Sequence, residues 1–86
     1  MSTVDELRVQ IGQAAANLDA LVRVLAQHRN MLISLSADVQ TELGNTATKL
    51  DRDMIQRLDV SADLVGATAG RVGLAATKAR EIGERL

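Results

Sequence analysis

The sequence predicts an all-α protein. Two long antiparallel helices fold back as a helical hairpin, and such hairpins dimerise into a four-helix bundle. Three observations lead there. Apolar residues recur three and four apart from Val4 to Glu42. That recurrence changes phase at Leu43-Gly44-Asn45. More apolar side chains then remain than one hairpin can bury.

Composition narrows the alternatives. The 86 residues include no Pro, Cys, Trp, Tyr or Phe, which bounds the chain to one small domain, residues 1–86. Leu, Ile, Val, Met and Ala must supply all burial, without the aromatic side chains that cover most area per residue. The formal net charge is −1, so neither a basic face for nucleic acid nor an acidic tail is evident. No apolar run approaches the roughly 18 residues of a membrane span. The start, Met1-Ser2-Thr3-Val4-Asp5-Glu6, is acidic and unlike a cleavable signal peptide. The expected location is cytoplasmic, with export by a route that needs no such peptide as the alternative.

The first helix is expected over about 3–42. Thr3 and Glu6 have capping-box spacing, and Asp5 and Glu6 suit the positive end of the helix dipole. Its seam reads in sevens as Val4, Ile11, Leu18, Leu25, Leu32 and Val39, interleaved with Leu7, Ala14, Leu21, His28, Leu35 and Glu42. The turn is expected at 43–46, on Leu43, Gly44 and Asn45. Gly44 can take the left-handed conformation that ends a helix, and Asn45 or Thr46 can cap the next one. Continuing the first seam beyond this point would place Thr46, Lys49, Asp53 and Gln56 on it, which is polar. A second helix, about 47–85, therefore has its own seam through Met54, Leu58, Ser61, Val65, Thr68, Val72, Ala75, Ala79, Ile82 and Leu86. Two helices of about 40 residues, roughly 58 Å each at 1.5 Å per residue, match in length as a hairpin.

Helix two also carries a stripe of small residues, Ala62, Gly66, Ala69, Gly73 and Ala76. Interior Gly costs about 1 kcal/mol relative to Ala, and close approach of another helix backbone is the usual compensation. Beyond the seams, Val60, Leu64, Ala67 and Leu74 on helix two, and Val9, Ala16, Ala20, Val24 and Met31 on helix one, form surplus apolar flanks. Val22, Ala26 and Ile33 form another. Large apolar patches mark interfaces, so these flanks are the expected partner contact, Val24, Met31, Leu64 and Leu74 foremost.

Reactive chemistry finds little support. His28 is the only imidazole and lacks partners at metal-ligand spacing; on the seam it reads as a polar residue that fixes register. Asp51, Asp53, Asp59 and Asp63 alternate with Lys49, Arg52 and Arg57 as a solvated helix face does. Ser34, Ser36 and Ser61 have no base at helical spacing. Arg71, Lys78, Arg80 and Arg85 make the end of the chain mildly basic, but no aromatic is there to stack on bases. No catalytic residue, cofactor site or metal site is expected.

The central Leu43-Gly44-Asn45 turn, the chain length and the Ala-rich helices with Gln56-Arg57-Leu58-Asp59 through Ala79 resemble the WXG family, the small helical hairpins of type VII secretion. Leu43 stands where that family has Trp, and Asn45 where its Gly is expected. The family's C-terminal Tyr-based export signal has no counterpart, because the chain has no Tyr. The resemblance implies a non-enzymatic secretion substrate or partner that pairs with itself or a paralogue. The alternative is a coiled-coil adaptor or small chaperone that covers a client's amphipathic helix.

Overall fold

A computed structural model describes residues 3–44 and 48–86. It contains two helices, α1 (Thr3–Leu43) and α2 (Lys49–Arg85), packed antiparallel along their lengths. No Pro interrupts either one, so the backbone ladder can run unbroken through 41 and 37 residues. The Cα extents are 67 × 14 × 13 Å and the radius of gyration is 19.4 Å. A compact domain of this length would have a radius near 12 Å. The hairpin is therefore a rod one helix pair thick.

The turn follows from local chemistry. Gly44 has φ +52°, the left-handed region in which a residue without Cβ ends a helix cheaply. The expected cap positions Asn45 and Thr46 lie outside the described residues, as does the Asn45 part of the predicted turn. The cap of α2 is Thr48 instead. Its hydroxyl accepts the Asp51 N–H at 3.2 Å, and the Asp51 carboxylate accepts the Thr48 N–H at 2.9 Å. This reciprocal box satisfies two amides that the first turn leaves open, and it starts α2 two residues later than the expected 47. Leu43, predicted in the turn, is helical and closes the seam of α1. Thr3 is itself helical, so the position ahead of α1 falls outside the described residues.

Each seam is half of what the periodicity predicts. On α1, the row Ile11, Leu18, Leu25, Leu32 and Val39 faces α2, as expected, whereas Val4 at its head is exposed. Its companion row is Ala15, Val22, Arg29, Ser36 and Leu43, one residue on from Leu7, Ala14, Leu21, His28 and Leu35, which are exposed. On α2, Leu58, Val65, Val72 and Ala79 are half-buried as predicted. Their companions are Ile55, Ala62, Ala69, Ala76 and Gly83, whereas Met54, Ser61, Thr68, Ala75 and Ile82 are exposed. His28 thus lies outside the seam, and Val22, expected on a flank, lies within it.

Volume explains the shift. Among the described residues the buried ones are Ala15, Ala62, Ala76 and Ser36, with Ala62 at 2% and Ala76 at 1% exposure. The stripe of small residues on α2 is the surface on which α1 rests. A Cβ on Gly66 would stand 2.9 Å from Arg29 Nε and 3.0 Å from its Cδ, so the Arg29 stem crosses α2 where no side chain opposes it. Gly83 similarly faces Ile11 and Gly73 faces Val22, at ordinary contact distance. Counting apolar residues favours the bulkier rows, but helices in close contact select the smaller ones.

Polar contacts lie along one edge of this seam. The buried Ser36 hydroxyl donates to Asp59 Oδ1 at 2.7 Å and accepts from Gln40 Nε2 at 3.2 Å, so its burial leaves no unsatisfied group. Nearer the open end of the hairpin, the Arg80 guanidinium forms a two-point ion pair with the Asp19 carboxylate. Both partners are substantially exposed, so the pair adds little stability but fixes alignment. The Arg80 hydrogen bond, aided by the guanidinium charge, holds the Asp19 carboxyl below its usual range.

Candidate docking face

The contacts Val22–Gly73, Arg29–Gly66 and Ser36–Asp59 set the register: residues whose numbers add to 95 stand level across the hairpin. They also set its sides. Asp19 and Arg80 flank the seam on one side and meet there. At about 100° per residue, the opposite flanks are the row Leu7, Ala14, Leu21, His28, Leu35 on α1 and the row Met54, Ser61, Thr68, Ala75, Ile82 on α2. The two rows therefore share the side that carries neither the ion pair nor the Ser36–Asp59 bond.

That side is apolar and wet. Leu7, Leu21, Leu35, Met54 and Ile82 are each 42–53% exposed. Along its rims stand Met31 at 67%, Leu64 at 64% and Leu50 at 78%. A Leu or Met left half in water forgoes part of the about 1.5–3 kcal/mol that full burial of such a side chain contributes. Five on two rows of one side make an apolar strip, interrupted at mid-height by His28 and Thr68.

The area agrees. The accessible surface is 6442 Å². A compact monomer of 9.2 kDa would expose about 4,900 Å². The excess, about 1,500 Å², exceeds the roughly 800 Å² that one partner contributes to a standard interface.

The eight residues singled out by sequence are all exposed, but they do not share one side. Val24, Met31 and Leu64 border the strip. Val60, Ala67 and Leu74 lie on the back of α2, away from α1. Val9 and Ala16 lie on the far flank of α1. Sequence reasoning missed Leu7, Leu21, Leu35, Met54 and Ile82 as surface residues because it assigned them to the seam. The signal that would have found them was the small stripe Ala62–Ala76: taken as the hairpin contact, it turns the bulky rows outward.

Among the described residues, no three His, Asp or Glu gather as a metal would require, and no helix is long and apolar enough to cross a membrane. His28 stands exposed in the middle of the strip. Comparison with known proteins finds no matching family model, no matching curated protein and no matching solved structure. The molecule is, by its fold and surface, an extended helical hairpin with an exposed apolar face.

Proposed function

We propose that the protein is a non-enzymatic interaction module whose partner is another helical hairpin, together forming a four-helix bundle. One observation carries this reading: an apolar row of each helix, bearing Leu7, Leu21 and Leu35 on α1 and Met54 and Ile82 on α2, lies exposed outside the seam and on the same side. Hairpins that share such a face bury it by stacking, with coiled-coil-like packing of the added rows. The hairpin fold and the central Gly turn support a likeness to the WXG hairpins of type VII secretion.

The test is the mass and cooperativity of the purified chain beside a Leu21→Glu/Leu35→Glu variant. Both substituted positions are exposed within the hairpin, so the pair contact survives while the strip becomes charged. The wild type is expected to assemble with itself or to unfold broadly until a mate is supplied. The variant is expected to lose every assembly. A wild-type chain of 9.2 kDa that melts in one sharp transition at high concentration refutes the reading.

A further inference from the structure

We infer that the occupant of this strip is a second copy of the same chain, related by a twofold axis parallel to the rod, so that both turns lie at one end. The inference rests on the proposed docking role and names its partner. In this arrangement α2 of each copy lies over α1 of the other, and heights are shared. Whatever stands level within one hairpin then stands level across the interface.

The two rows are complementary at those heights. Leu35 is level with Ser61 to within a residue, Leu21 with Ala75, and Ala14 with Ile82. These three layers each set a large side chain against the partner's small one, which is how facing rows fill space without voids, and at the turn end Met54 stands level with Glu42. At mid-height His28 stands level with Thr68, one polar layer between apolar ones, a combination that fixes register in helical bundles.

The rims agree as well. The outer rim of α2 carries Arg57, Arg71, Lys78 and Arg85 and no acid, whereas the outer rim of α1 carries Asp38 and no cation. Stacking α2 on α1 brings Arg57 level with the partner's Asp38 and Leu64 level with the partner's Met31. The other twofold arrangement, with turns at opposite ends, stacks α2 on α2 and runs two cationic rims side by side. Like charges at that range oppose association. The area is sufficient: a surplus of about 1,500 Å² per copy exceeds the roughly 800 Å² that each side of a standard interface buries.

Because the chain has no Cys, a spin label on Lys49→Cys reports on the turn end alone, at an exposed position. Its thermal melt, matched to wild type, controls for folding. Turns together place the labels of a dimer within about 30 Å, two to three helix diameters. Turns apart place them near opposite ends of a 67 Å rod. A second reading mixes Met31→Cys with Leu64→Cys chains: the mixture is expected to form a disulfide-linked dimer that neither forms alone. Short label distances with selective cross-linking support the inference. A dimer with labels near 60 Å overturns the arrangement, and a monomer with a broad melt overturns the second copy as occupant. Either leaves the docking role standing. A sharply melting monomer overturns both.

Discussion

Substituting Ala62 by Leu distinguishes the observed seam from the one that apolar periodicity favours. Ala62 is 2% exposed against α1, level with the half-buried Leu32. Leu adds three carbons. Were there room, their burial would contribute up to about 2.4 kcal/mol at roughly 0.8 per methylene. The surface of α2 at this point is made of Ala and Gly, so the added atoms must push the helices apart. That loosens Leu32, Val39, Leu58 and Val65 together. Overpacking of this kind costs about 1–3 kcal/mol net, and in a chain of this size each kcal/mol lowers the melting temperature by about 4–8 °C. The measurement is a helical circular dichroism melt at fixed protein concentration. Ala67→Leu, on the exposed back of α2, is the control, expected within about 0.5 kcal/mol of wild type. If Ala62→Leu melts at or above the wild-type temperature, the small stripe is not the contact and the shifted seam is wrong.

Other expectations follow from single sites. Gly70 has nothing within 4 Å of where a Cβ would stand, so Gly70→Ala should stabilise by about 1 kcal/mol through helix propensity alone. Gly66→Ala should gain less in the same melt, because its Cβ displaces Arg29. Thr48→Ala removes the cap of α2 and should cost about 1 kcal/mol, with faster amide exchange confined to the start of α2. The hydrogen bonds from the Thr48 N–H and hydroxyl hold the Asp51 carboxyl below its usual range. A depressed carboxyl stabilises the folded state fully above its unfolded value near 4, and that contribution is lost as pH falls through the folded value. Amide protection at the start of α2, relative to the intrinsic exchange rate at each pH, should therefore fall below about pH 4, and Asp51→Asn should remove that pH dependence; an unchanged acid response in that variant would contradict the assignment.

The hairpin was legible because its signals are local. The absence of Pro, the Gly44 turn and one correct row in each seam follow from helix geometry and need no tertiary information. The second row was not legible. Leu7, Leu21 and Leu35 compete with Ala15, Val22 and Ser36 for the same seam, and apolarity alone picks the bulkier set. What decides is the partner surface, the Ala62–Gly66–Ala69–Gly73–Ala76 stripe, whose smallness demands close approach. The sequence displayed that stripe, but as a feature beside the seam. Misplacing the seam by one residue also scattered the predicted interface, since Leu7, Leu21, Leu35, Met54 and Ile82 had been assigned to the interior. Ser36 shows the same limit. A hydroxyl looks like a surface residue until Asp59 and Gln40 are brought around it to satisfy its bonds.

The central claim is that the side bearing Leu7, Leu21, Leu35, Met54 and Ile82 is covered in the working protein. Light scattering across a dilution series of the pure chain tests it most directly. The account predicts twice the 9.2 kDa chain mass at high concentration, reduced to a single chain by Leu21→Glu/Leu35→Glu. A single chain at every concentration, sharply folded and indifferent to those two substitutions, would contradict it.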